Sequence, residues 1–295
     1  MEVQPVAAAG PRAIGRTHLG NPPNSDIARP RGACRVLMIG DVIGKPGRRA
    51  VHDLLPRLVD EHRVDFTVVN VENSAGGFGV TPEVLAELDE LPIDCYTSGN
   101  HIWDKKEGVA LLDEEPRLLR PANYPDGNPG GGLYVGETAA GVPVAVINLE
   151  GQVFMKSLVS PFTVADRLLA ALPDGVRVIM VDFHCEATSE KQALGFHLDG
   201  RVSGVFGTHT HAPTADERIL PAGTAFVTDV GMTGPYESII GMRADRVLQR
   251  FYLQTNQPFE VAKRDVRLAA VLVDVDEATG KARSIERFLV AHGQA

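Results

Sequence analysis

The chain has 295 residues, 44% of them hydrophobic, which is enough to bury a full core in one large domain or two small ones. Its formal net charge of -9 argues against a protein that coats DNA or RNA, because an acidic surface repels long polyanions. Cys34, Cys95 and Cys185 cannot all pair within one chain and fit no zinc ribbon, so a reducing cytoplasm is the expected compartment.

Residues 1–32 carry Pro, Gly, Ala, Arg and Asn without a hydrophobic period. They read as a disordered N-terminal extension to a domain over 33–295. They hold no continuous apolar stretch of the kind a signal peptide needs. No run anywhere reaches the roughly 18 apolar residues of a membrane span, so no membrane partner is expected.

The domain opens on Val36-Leu37-Met38-Ile39, a buried-strand run that ends in Gly40 and Asp41. Helical spacing follows over 46–62, with Val51, Leu54, Leu55 and Leu58 on one face. A second buried strand over 66–71 ends in Glu72 and Asn73. Thr81 as N-cap and Pro82 at the first helical position start the next helix. A short strand over 94–98 precedes Asn100 and His101, and 105–112 is helical. This order predicts parallel strands joined by right-handed crossovers. Residues 124–132 are loop, and strands follow over 133–135 and 142–149. A helix over 162–172, a strand over 176–182 and a helix over 189–198 come next. The strand over 202–206 runs into His209 and His211, and another over 224–228 precedes a glycine-rich loop, 231–236. Alternating stretches around Glu277-Ala278-Thr279-Gly280 predict a closing β-hairpin.

The polar residues fall in one kind of place. Asp41, Glu72 and Asn73, Asn100 and His101, His184, and His209 with His211 each follow a strand. In open α/β sheets, ligands bind just beyond the carboxyl ends of the strands. Taken singly, a strand-end Asp or Asn is more often a turn former and a buried His more often a hydrogen-bonded core residue. Five such endings in one chain point instead to a shared site. His209 and His211 lie two apart, and on an extended chain both would reach one place. Two carboxylates, two amides and three imidazoles suit manganese, iron, zinc or cobalt better than calcium or magnesium. So many donors exceed one tetrahedral ion and fit two ions about 3.5–4 Å apart that share a carboxylate.

Two decoys are set aside. The run from Gly40 to Gly47 lacks the spacing of a dinucleotide fingerprint and the Ser or Thr that a P-loop needs after Lys45. Cys185 neighbours His184, but adjacent strand residues face opposite ways, so Cys185 reads as a packing residue.

Seven stretches now carry a resemblance. They are Ile39-Gly40-Asp41-Val42, Asn70-Val71-Glu72-Asn73, the run from Gly99 to Lys105, Arg120-Pro121-Ala122-Asn123, the run from Asp182 to Lys191, Gly207-Thr208-His209-Thr210-His211, and the run from Thr228 to Tyr236. With them the chain resembles the calcineurin-like metallophosphoesterases, and more closely the bacterial YmdB-like branch. The wider superfamily has Asp-x-His after its first strand and Asp after its second. Here Ile43 takes the histidine position and Glu72-Asn73 the second, as in the YmdB-like branch. The resemblance implies an α/β fold, a four-layer αββα sandwich of two facing β-sheets flanked by helices. It implies two divalent or mixed-valence ions, iron or manganese foremost. One would take Asp41, Asn73 and His211, the other Asn100, His184 and His209, with Glu72 bridging.

The implied activity is hydrolysis of small phosphodiesters, 2′,3′-cyclic nucleotides among them, by a metal-bridging hydroxide attacking phosphorus. His101 would serve the leaving oxygen as the catalytic residue. Asp182, two residues before His184, is placed either to orient it or to serve a simple structural role; Lys191, Arg120 and Thr188 are offered as phosphate holders or supports of the mouth, and the 231–236 loop as a substrate border or as a subunit or hairpin contact. A phosphomonoesterase or nuclease with the same metals stays open, as does a nucleotide-binding regulator without turnover. A homo-oligomer is compatible with the sequence.

Overall fold

A computed structural model describes residues 17–19 and 31–293. Of the segment expected to be disordered, 1–16 and 20–30 lie outside the described residues.

The first half contains β1 (Thr17–Leu19), β2 (Ala33–Ile39), α1 (Gly44–His62), β3 (Phe66–Asn70), α2 (Pro82–Asp89), β4 (Cys95–Thr97), a 3-10 turn (Asn100–Trp103), α3 (Lys106–Glu114), β5 (Leu133–Glu137) and β6 (Pro143–Glu150). The second half contains α4 (Pro161–Ala170), β7 (Val178–His184), α5 (Thr188–Leu198), β8 (Gly204–Thr208), β9 (Arg218–Ile219), β10 (Ala225–Val227), β11 (Gly234–Pro235), α6 (Ala244–Leu253), β12 (Val266–Asp276) and β13 (Ala282–Ala291). One sheet runs β1-β13-β12-β2-β3-β4, with β11 added on β12. The other runs β5-β6-β7-β8-β10-β9. β2, β3 and β4 are mutually parallel, as are β6, β7, β8 and β10.

The period-two alternation of the strands stacks these sheets. On β2, Val36 and Met38 face the inter-sheet core with Val146 and Met180, while Leu37 and Ile39 pack under Leu54, Leu55 and Leu58 of α1. On β6, Ala145, Ile147 and Leu149 turn outward onto Val164 of α4 and Leu194 and Leu198 of α5. Helix, sheet, sheet and helix form four layers, the sandwich that the resemblance implied.

α1 buries the four residues that its sequence pattern picked out. It also accommodates Pro56, which lies on the exposed face. There water can reach the carbonyl left without its helical donor. The helix stops where Arg63 turns left-handed and its N–H bonds the carbonyls of Asp60 and Val59. Thr81 caps α2 by accepting the Val84 N–H. β12 and β13 form the expected hairpin, and Asp276 accepts the N–H groups of Ala278 and Thr279 in its turn. α6, β9 and β11 have no counterpart in the sequence reading. α6 has Val247, Leu248, Phe251 and Tyr252 at helical spacing, but it buries only Val247, so this apolar face does not enter the core. No helix among the described residues is long and apolar enough to cross a membrane.

Candidate metal centre

The parallel strands of both sheets end along one rim. From the first sheet come Asp41 after β2, Glu72 and Asn73 after β3, and Asn100 after β4. From the second come His184 at the end of β7, and His209 and His211 after β8. All the oxygen donors therefore stand on one sheet and all the imidazoles on the other.

Two groups of donors close up, Glu72 with His184 and His209, and Asp41 with Glu72 and His211, their ligand atoms within 4.8 Å of one another. Glu72 belongs to both groups. His184 Nε2 lies 3.0 Å from Asn100 Oδ1, 3.1 Å from Glu72 Oε1 and 3.1 Å from His209 Nδ1. Bonds of about 2.0–2.2 Å to one ion, meeting at right angles, set neighbouring donors about 3 Å apart. The spacing fits a cation. So does the satisfaction of the oxygens: Asp41 Oδ1 and Asn73 Oδ1 are buried without a hydrogen-bond partner among the described residues, while Glu72 Oε1 faces the His184 ring. Such oxygens cost several kcal/mol unless a partner or a cation takes them up, by the usual cost of about 2–7 kcal/mol for a buried unpaired polar group. Asn73 is held with that oxygen free, because its amide N–H donates to the Gly77 carbonyl.

Each imidazole has its other nitrogen occupied. His184 Nδ1 lies 2.9 Å from the Thr208 hydroxyl, which donates to Asp182. Asp182 thus orients His184 through Thr208, and it also accepts from Asn70 and Thr97, tying the two sheets beneath the site. His211 Nδ1 donates to the Ile240 carbonyl, which leaves Nε2 toward Asp41. His209 Nε2 lies 3.2 Å from Glu186, which leaves Nδ1 toward His184. These partners fix each ring's tautomer and direction.

His209 and His211 do not lie on the extended chain that their spacing suggests. Their φ angles are 92° and 64°, so both are left-handed. The turn sends the two rings into different groups, one on each side of Glu72. Asp229 holds this turn by accepting from the Thr210 N–H and hydroxyl and from Gly231 N–H.

The phosphate-holding roles offered for Lys191 and Arg120 also fail. Lys191 is buried in an ion pair with Asp229, and Arg120 donates to the Pro129 and Pro121 carbonyls. Thr188 is exposed at the start of α5. The 231–236 loop makes the hairpin contact: Gly234 and Pro235 pair with β12, and Thr233 brackets Asp41. Cys185 is inert as read, since burial and Glu190 push its thiol up. Glu150, Glu186 and Asp229 were not singled out in the sequence. Glu150 ends β6 beside His184, and burial raises it although Tyr124 donates to it. An apolar strand ending in a carboxylate was its visible signal, the same one that marked Asp41 and Glu72.

Charge is arranged for a cation. Burial pushes Asp41 up to about 6 against the pull of His211 and His184. Burial works to raise Glu72 too, but His184 outweighs it and holds the carboxyl at about 2. Burial and the neighbouring His184 push His209 down to about 3, so its imidazole is neutral. Burial works to lower His184, yet Glu72 and Asp41 raise it to about 9. A cation entering near neutral pH must therefore displace the His184 proton. Apparent metal affinity should strengthen as pH rises toward 9. Calorimetry in buffers of different ionisation enthalpy should find about one proton released from this ring; no release would contradict the reading.

Gly99 sets how closely β4 and β7 approach at the rim. A Cβ on it would stand 2.1 Å from His184 Cδ2. Gly99→Ala should displace the ring and lose metal while far-UV circular dichroism stays unchanged; full metal content would refute this.

Residues 37–288 match the family described as YmdB-like protein. The chain is 49% identical over 259 residues to a Bacillus subtilis (strain 168) protein called 2′,3′-cyclic-nucleotide 2′-phosphodiesterase, covering 87% of this chain and 97% of that one. It superimposes with a TM-score of 0.83 on a hypothetical protein from Thermus thermophilus that is 42% identical, covering 88% of this chain and 99% of the other. A phosphatase from Mycoplasma pneumoniae, 34% identical, gives a TM-score of 0.83 with 88% and 94% covered. With the match spanning nearly all of the sandwich and ending only at its last strand, the chain belongs to the YmdB-like protein family.

Proposed function

We propose that the chain is a metal-dependent phosphodiesterase acting on small phosphodiesters, with 2′,3′-cyclic nucleotides as substrates. One observation carries this: two donor groups that share the buried carboxylate of Glu72. The Bacillus subtilis relative supports the choice of substrate through its name. Asp41, Glu72, Asn73, Asn100, His184, His209 and His211 would hold two transition-metal ions. Their mix of oxygen and imidazole suits manganese, iron, zinc or cobalt, and the family resemblance puts iron or manganese foremost. When bound, such ions neutralise charge on phosphoryl oxygens and lower the pKa of water toward about 7.

The chain's own groups do the rest. His101 is fastened to the centre by its main chain, whose N–H donates to Glu72 Oε2. Its Nδ1–H donates to Asp104 at 2.8 Å, which directs Nε2 as the atom that passes a proton to the leaving oxygen. The ring is 29% exposed, so it can exchange that proton with solvent. His101→Ala should lower kcat by about 10²–10⁴-fold with both ions retained; loss of an ion would make His101 a ligand instead.

The deciding assay is hydrolysis of 2′,3′-cyclic AMP by protein stripped with chelator, then given Mn²⁺ or, without oxygen, Fe²⁺. Activity should vanish and return. No turnover with the ions bound would sink the proposal.

A further inference from the structure

Beside His101, on the rim of the metal centre, stands a line of rings that the mechanism does not use. Phe78 meets His101 edge-on with centroids 4.9 Å apart. Phe259 follows, 6.0 Å from Phe78 and tilted by 43°. The Arg250 guanidinium lies 4.9 Å from the Phe259 ring centre. Phe259 is 39% exposed and Phe78 is partly exposed.

The backbone holds Phe78 in this place. Gly76, Gly77 and Gly79 around it have φ of +71°, +101° and +72°. Only glycine takes such angles freely. The loop is also close-packed, since a Cβ on Gly77 would stand 2.7 Å from Met242 Cε and one on Gly79 2.7 Å from Lys105 Cγ. Its bonds tie it to the metal-binding segment: Asn73 donates to the Gly77 carbonyl and Ala75 to the Gly79 carbonyl. The same loop that frees Asn73 Oδ1 for a cation therefore fixes an aromatic ring one step beyond the proposed acid.

We infer that Phe78 and Phe259 form the wall against which the substrate's nucleobase stacks. This rests on the phosphodiesterase reading above. A cyclic nucleotide with its phosphate at the metal centre and its leaving oxygen at His101 Nε2 carries its base outward by the width of a ribose. The rings are the next groups in contact order from the centre, Glu72 to His101, His101 to Phe78 and Phe78 to Phe259. Aromatic stacking tolerates any base, because every base has a π-face, and the arginine adds a cation behind the second ring. The wall would therefore select nucleotides over base-free diesters without choosing strongly among bases.

The test compares kcat/KM for 2′,3′-cyclic AMP and for ribose 2′,3′-cyclic phosphate. The wild-type protein should prefer the nucleotide by about ten-fold or more, and Phe78→Ala should erase about ten-fold of that preference. Phe78→Tyr should keep it. Phe259→Ala, at an exposed ring, should reduce it even if Phe78→Ala fails to fold. A wild-type protein without the preference, or a ratio unmoved by both alanine variants, overturns the wall. A displaced His101 would lower kcat on both diesters alike and leave the ratio unchanged, which also overturns it. No turnover of either diester by the wild-type protein would overturn the phosphodiesterase reading instead. Titration with adenosine 3′-phosphate then decides the wall: binding weakened about ten-fold by Phe78→Ala supports it, and unchanged binding removes it.

Discussion

Glu72→Ala should abolish turnover of 2′,3′-cyclic AMP, with kcat falling by roughly three orders of magnitude. The protein should also fail to retain either metal ion. Both donor groups need this one carboxylate, and no other residue belongs to both. His211→Ala makes the informative contrast. His211 stands only in the group with Asp41, so its loss should spare the ion held by Glu72, His184 and His209. Metal content by elemental analysis reads both results directly. A Glu72→Ala protein that still carries two ions per chain would remove the shared role.

Lys191→Met should cost about 3–5 kcal/mol of stability, the usual penalty for breaking a buried ion pair from one side. Lys191 Nζ and Asp229 Oδ2 are 2.6 Å apart, and each side chain is 1% exposed. Methionine keeps the volume but leaves the Asp229 carboxylate buried and uncompensated. The loss should not stay local. Asp229 also steadies the turn that carries His209 and His211 in left-handed conformations, each of which costs roughly 1–3 kcal/mol by itself. Urea denaturation of chelator-treated protein measures the stability, and metal titration measures the turn. A loss below about 1 kcal/mol would mean that Asp229 finds another partner or a proton.

The parts of the fold that could be read in advance are those where local pattern and burial agree. β2, β3, β7 and β8 are apolar runs that end in polar residues, and each polar end stands at the candidate centre. α1 showed its buried face through Val51, Leu54, Leu55 and Leu58. The parts that could not be read depend on tertiary partners. β9 and β11 are each two residues long and leave no periodic trace, whereas α6 was legible from Val247, Leu248, Phe251 and Tyr252 at helical spacing although it buries only Val247. The turn at His209 looked extended because the chain's own pattern carries no sign of a left-handed angle on a histidine. That angle is held by Asp229, 19 residues beyond Thr210, through bonds to the Thr210 N–H and hydroxyl. Lys191 looked free to hold phosphate for the same reason: only the fold reveals that Asp229 claims it.

With the proposed ligands divided between the sheets, the centre would act as a clasp across the seam of the sandwich. An ion held there pulls the end of β3 toward the ends of β7 and β8, so its removal should loosen this rim before any other edge. Hydrogen exchange would report it as faster exchange at Val71, Gly99 and Cys185 than at the mid-strand positions behind them. The same division also separates two chemical adjustments. Changes at the carboxylate and amide end of one sheet would tune how hard a cation the centre prefers. Changes at the histidine end of the other would tune how readily protons compete with that cation. Because the two sets grow from different sheets, either can drift while the other keeps its register.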